Sequence, residues 1–217
     1  GKSSGVSTKV RLSEVETLQY HLDTSFDVNV YIGKKKGHAS SVDLGKESLN
    51  RAIESACLIA KYTQEDPFNG LAPKERLAWQ VPELDLYHFW DLDAKKSIDI
   101  AKECEAIALE QPEIDNSDGA EISSFEGESI YANSSGLAAR AKNTRHSLYC
   151  SLIAKREGEM QTAYEYSIAL DAGELSPAKQ VGIEAARFAQ QKLGSQNLSP
   201  QKCPILFTPR QSTGLFS

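Results

Sequence analysis

No stretch of this 217-residue chain approaches the ~18 consecutive apolar residues that a membrane-spanning helix needs. Positive charge is also scarce. The 24 Lys and Arg are outnumbered by 30 Asp and Glu, for a formal net charge of −6 and a pI near 5.3. A general nucleic-acid binder needs a basic face, so direct nucleic-acid contact is not expected. Cysteines are few: Cys57, Cys104, Cys150 and Cys203 lie far apart, with no C-x-x-C, so no zinc knuckle or redox pair is encoded locally. Cys57 and Cys104 fall at apolar helix positions, as reduced core thiols of a cytosolic protein do. The histidines, His21, His38, His88 and His146, have no second histidine three or four residues away, so no helix offers a paired metal face.

Motifs of catalysis are missing as well. There is no G-x-S-x-G, no phosphate-binding G-x-x-x-x-G-K-[ST] and no G-x-G-x-x-G. In the run Thr144-Arg145-His146-Ser147 the histidine and serine are strand neighbours, which point to opposite faces, so His146 does not activate Ser147. Arg145 and His146 are expected instead to pair with acidic neighbours. The run Asp115-Asn116-Ser117-Asp118-Gly119 resembles a calcium loop only loosely, because its glycine arrives one residue early, and it reads as a turn. Lys34, Lys35 and Lys36 form a basic tip that reads as a solvated hairpin loop.

What is present is alternation. Val6, Thr8, Val10 and Leu12 recur with a period of two, as do Glu16, Leu18, Tyr20 and Leu22, then Phe26, Val28, Val30 and Ile32. With a short strand over residues 38–42, the opening reads as an antiparallel meander. That order would put His21 and His38 about 10 Å apart on one sheet, too far to share an ion. Leu49, Ala52, Ile53, Ala56 and Ala60 then recur at helical spacing. Residues 63–91 hold Pro67, Pro73 and Pro82 with scattered aromatics. They read as an ordered crossing loop, since Phe68, Trp79, Leu84, Leu86, Tyr87, Phe89 and Trp90 are too apolar to stay solvated. A second helix is predicted from the cap Asp93 to about Glu110. Strands return over residues 123–170, and a third helix opens at Ser176-Pro177 and stops at Gly194. The predicted fold class is α+β, mostly antiparallel sheets with about three amphipathic helices. The ending, with a β-type run at Cys203-Pro204-Ile205-Leu206-Phe207 and then a helical turn, is as abrupt as the start. Residues 1–217 are therefore expected to be one N-terminal domain of a longer protein.

Four segments resemble a known family. They are Gly37-His38-Ala39-Ser40-Ser41-Val42-Asp43-Leu44; Tyr62-Thr63-Gln64-Glu65-Asp66-Pro67-Phe68-Asn69-Gly70-Leu71-Ala72; Asn133-Ser134-Ser135-Gly136 with Thr144-Arg145-His146-Ser147; and Cys203-Pro204-Ile205-Leu206-Phe207 with Thr213-Gly214-Leu215-Phe216. In this order they are similar to the N-terminal half of the PmbA/TldE branch of the TldD/PmbA family, also labelled "modulator of DNA gyrase". The resemblance spans nearly the whole chain and implies a fold of this α+β class joined to a mostly β C-terminal part. It implies a cytoplasmic, heteromeric zinc metallopeptidase acting on unfolded or small peptides, with a TldD-like subunit as partner and the zinc in that subunit. The metal-binding helix of TldD-type subunits would begin near Ser217, where serine cannot serve as the ligand. No catalytic, cofactor-binding or metal-binding residue is therefore carried over to this chain. The alternative function is a protein-binding module acting on DNA gyrase; a third, an independent enzyme, lacks a nucleophile or metal constellation. Since antiparallel sheets leave an edge, the short polar run His38, Ala39, Ser40, Ser41 and Val42 is the candidate peptide-receiving edge.

Overall fold

A computed structural model describes residues 1–216. The chain opens with two long strands, β1 (Lys2–Arg11) and β2 (Glu14–Thr24), joined through Leu12 and Ser13 at φ of 50° and 67°. Leu12 thus lies in the turn and does not continue the strand alternation. β3 (Phe26–Ile32) and β4 (Lys35–Ser41) follow, then α1 (Lys46–Tyr62). After a long crossing come α2 (Ala94–Leu109), β5 (Ile114–Ala132), β6 (Ala138–Arg156), β7 (Glu159–Ala169), α3 (Ala178–Lys192) and α4 (Pro209–Phe216). The fold is α+β with all strand pairs antiparallel, as expected.

The opening is not a meander. β1 pairs with β2 on one side and with distant β5 on the other, giving a five-stranded sheet in the order β2-β1-β5-β6-β7. β3 and β4 form a separate two-stranded sheet. His21 and His38 therefore belong to different sheets. Periodicity assigns strands but not partners, which is why the break between β2 and β3 is invisible in the pattern. The calcium-like run is no turn either: it lies inside β5, whose register shifts between Ile114 and Asn116 and again between Ser117 and Gly119. Gly119 (φ 114°) absorbs the second irregularity. Residues 203–207 are irregular and exposed, so the expected terminal strand is absent there.

One face of the large sheet is covered by α2 and α3. Val6 and Val10 of β1, Ala120 and Ile122 of β5, and Leu148, Cys150 and Leu152 of β6 meet Ala101, Cys104 and Ala108 of α2 and Val181, Ala185 and Ala186 of α3. Asp93 caps α2, accepting from the Lys96 amide at 2.7 Å. α3 opens one residue later than expected, with Pro177 at the cap position. Cys104 and Cys150 touch within this core. Their mutual hydrogen bond, and then burial, push the Cys104 thiol far above its usual value, so it is inert.

The small sheet carries α1 instead. Ala52, Ala56 and Ala60 are buried on it, over Gly37 of β4. A Cβ at Gly37 would stand 1.9 Å from the Ala56 carbonyl oxygen, so only glycine lets the helix lie on the strand backbone. This lobe contributes nothing to the core clusters of the large sheet.

Candidate functional site

The candidate edge lies on the lobe. His38, Ala39, Ser40 and Ser41 are in β4, whereas Val42 follows the strand, 78% exposed, with its carbonyl taken by Thr24 Oγ1 at 2.8 Å. β4 pairs with β3 from Phe26↔Ser41 to Ile32↔Lys35 around the two-residue turn Gly33-Lys34. In such a hairpin the closing pair exchanges both hydrogen bonds, so Lys35, Gly37, Ala39 and Ser41 spend their amides on β3. Lys36, His38 and Ser40 point their N–H and C=O groups the other way. Among the described residues no hydrogen bond to these outward groups occurs. The side chains of Lys36, His38 and Ser40 are exposed, and His38 Nε2 stands 3.9 Å from Asp27 of the neighbouring strand. Ala39 and Ser41 thus face β3 and Val42 lies past the strand, so of the candidate run only His38 and Ser40 turn their backbone groups outward, together with Lys36. Of the lysine tip only Lys34 lies in the turn, exposed as expected, while Lys35 and Lys36 belong to β4; Lys34 Nζ donates to the Asn69 carbonyl at 3.1 Å, and Lys35 Nζ to that of Lys61 at 3.4 Å.

A second feature was not foreseen. A cleft of about 250 Å³ opens between β2 and the end of the crossing, lined by Tyr20, Phe89, Trp90, Ser124, Glu126 and His146 among others. His146 is fully buried at its floor. Its Nδ1 is 3.0 Å from Ser124 Oγ, its Nε2 is 3.0 Å from the His88 carbonyl, and Trp90 meets it edge-on at 5.3 Å. A carbonyl only accepts, so Nε2 carries the proton and, in the neutral ring, Nδ1 accepts from Ser124. His146 does not pair with an acid, contrary to expectation, and Arg145 lies over the Phe125 ring at 5.8 Å. Thr144 fastens the crossing beside it: its amide donates to the Leu86 carbonyl and its hydroxyl accepts from the His88 amide, both at 2.9 Å. A sequence signal for this existed. Thr144 and His146 sit in phase with Leu148, Cys150 and Leu152, the buried row of β6. Tyr87 donates to Glu126 Oε2 at 2.9 Å, and that hydrogen bond, then burial, raises its phenol above the ordinary value.

Elsewhere the crossing is poorly packed. Phe68 is 94% exposed, and Trp79, Leu84 and Phe89 are also exposed, so the expected burial of its aromatics holds only for the stretch around Leu86, Trp90 and Leu92. The other unforeseen residue is Glu105 of α2, fully buried, whose two oxygens accept from the Leu12 and Ser13 amides at 2.9 and 2.8 Å. It holds the strained β1–β2 turn from within the core.

Among the described residues, no three His, Cys, Asp or Glu side chains converge where a metal ion could sit. No helix of the described chain is long and apolar enough to cross a membrane. The expected correspondence of Ser217 with a metal ligand lies outside the described residues.

Family models match two parts of the chain: PmbA/TldA metallopeptidase domain 1 over residues 1–60, and the PmbA/TldA metallopeptidase central domain over residues 87–193. The chain is 37% identical over its whole length to a metalloprotease PmbA homolog of Haemophilus influenzae, covering 48% of it. It is 35% identical over 99% of its length to the metalloprotease PmbA of Escherichia coli, again covering 48%. The chain thus spans about half the length of these curated relatives. A crystal structure described as a putative modulator of DNA gyrase from Bacteroides thetaiotaomicron superposes with a TM-score of 0.82 at 25% identity, over 91% of this chain and 45% of that one. TldE from Thermococcus kodakarensis shares the fold, with a TM-score of 0.66 at 17% identity over 87% and 42% of the two chains.

Proposed function

The chain belongs to the PmbA/TldD family of metallopeptidase proteins, and from that premise we propose that it is the N-terminal part of a PmbA/TldE-type subunit that presents peptide to a heteromeric zinc peptidase without itself cutting it. The observation that carries this reading is the free edge of β4. Lys36, His38 and Ser40 offer outward backbone groups that an extended peptide can pair with, at little demand on its sequence. Such tolerance suits a peptidase of unfolded or small peptides. In this reading the zinc and the hydrolytic step belong to the TldD-like partner, and this chain supplies the receiving edge. The one buried histidine supports the same division of labour, since both of its ring nitrogens are spent on scaffold contacts.

The test uses the full-length protein together with its TldD-type partner and an unstructured peptide. Ser40→Pro removes an outward donor of the edge while leaving the β3–β4 ladder intact. The expected result is a raised KM with unchanged kcat. Unaltered kinetics in Ser40→Pro and His38→Pro alike would remove β4 as the receiving edge. A second reading, a protein-binding module acting on DNA gyrase, is favoured only by the description of two structural neighbours as modulators of DNA gyrase. Gyrase binding by the full-length protein, with no requirement for it in peptide cleavage by the assembly, would favour that reading.

A further inference from the structure

The lobe and the large sheet are two bodies with little between them. Among the described residues, the side chains of α1, β3 and β4 enter neither core cluster of the large sheet. The bonds that join the lobe to the sheet gather at one junction: the Ser25 amide donates to the Gly1 carbonyl at 2.9 Å, the Gly1 amino group donates to the Ser25 carbonyl at 2.7 Å, and Thr24 Oγ1 donates to the Val42 carbonyl. The lobe is also stapled to the start of the crossing, where the Asp66 amide and Asn69 Nδ2 donate to the Lys34 carbonyl at 3.1 and 3.3 Å. The end of the crossing is stapled to the sheet through Leu86 and His88. Between these anchors, across residues 70–84, every hydrogen bond among the described residues stays within five positions along the chain, the widest in sequence being Trp79 Nε1 to the Lys74 carbonyl at 2.9 Å. The two ends of this stretch carry Gly70 at φ 151° and, one residue beyond it, Asp85 at φ 50°. The two family models leave the same region unmatched, one ending at residue 60 and the other starting at residue 87.

We propose that β3, β4 and α1 form a hinged lobe that swings as one body on the large sheet, pivoting at residues 24–25 and paid out by residues 70–84. The lobe moves whole because its own contacts are tight: α1 rests on the backbone of β4 at Gly37, and β3 pairs with β4 along its full length. The pivot is narrow because a few hydrogen bonds around Thr24 and Ser25, not a packed interface, carry it. Such a motion falls in the microsecond-to-millisecond range of domain hinges. The free edge of β4 travels with the lobe, so the swing sets how far that edge stands from the cleft. This last point rests on the peptide-edge reading; the motion itself does not.

The test is a distance distribution between spin labels in the free chain, with no peptide present. Exposed Cys203 and half-buried Cys57 are replaced by serine, and buried Cys104 and Cys150 are retained. Labels at Ser40→Cys and Glu103→Cys span lobe and body; labels at Glu103→Cys and Asn143→Cys lie within the body. The lobe–body distribution is expected to be about twofold broader than the body control, as a hinge predicts. A lobe–body distribution as narrow as the control overturns the hinge. Limited trypsin digestion of the unlabelled chain gives an independent check. Cleavage after Lys74 or Arg76 before any site within the lobe or the large sheet supports the hinge, whereas survival of both bonds beyond cleavage at such sites counts against it. Neither outcome bears on whether β4 receives peptide, which the proline variants decide.

Discussion

The body and the lobe solve the same problem, a helix on a sheet, with different material. The body buries Val6, Val10, Ile122, Leu148, Leu152 and Val181 between five strands and two helices. The lobe buries three alanines against a glycine, and leaves Ile53, Leu58, Ile59 and Tyr62 of its helix exposed. Each large side chain removed from water contributes about 1.5–3 kcal/mol, which an alanine cannot match. The body is therefore the cooperative, high-stability unit and the lobe the part that opens first. Close backbone approach gives the lobe a defined shape without giving it much free energy.

The largest expected effect is in the body. Leu148→Ala or Leu152→Ala leaves a cavity under both helices and is expected to cost about 2–5 kcal/mol, read as a lowered midpoint in urea unfolding. A smaller loss than Ile53→Ala in α1 would reverse the ranking of the two regions. Next comes Gly37→Val. Its side chain meets the backbone of α1 and is expected to free that helix, with amide protection lost across residues 46–62 while residues 114–192 keep theirs. Loss of protection in both regions would mean that the lobe and the body fold as one. Glu105→Ala follows, leaving the Leu12 and Ser13 amides unpaired at a turn with positive φ, at an expected cost of about 1–3 kcal/mol. Glu105→Gln keeps one acceptor and should retain part of that stability.

The smallest effect is acid sensitivity, and its sign is fixed by the surface pairs. Hydrogen bonds from Lys9, Arg156 and Arg140 hold Glu16, Glu113 and Glu128 below the usual carboxylate range. A depressed folded-state value means that the stability is present above the unfolded value of about 4.3 and is lost as pH falls through the lower folded value. All three carboxylates are at the surface and all three pairs join strands of the large sheet or its flanks. A weak decline below pH 4, reduced in high salt, is expected for the body. An equal decline at high salt would point to a buried group instead.

The helices and most strands could be read from the sequence because each carries its own period. Asp93 and the alanine stripe of α1 mark helix ends and faces without reference to any partner. Pairing could not be read this way. β1 takes its second partner from β5, more than a hundred residues away, and nothing in either run names the other. The bulged start of β5 hid its strand behind turn-like Asp, Asn, Ser and Gly. The candidate edge at His38 and Ser40 lies on a free strand side, yet Val42 does not, because Thr24 occupies its carbonyl. His146 is legible as a buried strand position from its phase with Leu148 and Cys150, but its partners, Ser124 and the His88 carbonyl, are not. Glu105 was not legible, since a carboxylate that reaches a turn ninety residues back looks like any helical surface glutamate.

Native-state hydrogen exchange on the 217-residue chain, followed amide by amide, tests the difference between body and lobe most directly. Amides of α1 and of the β3–β4 ladder are expected to exchange through an opening of lower free energy than those of β5, β6 and α3, with the lobe amides sharing one value among themselves. A single common opening free energy across the lobe and the body would contradict the account.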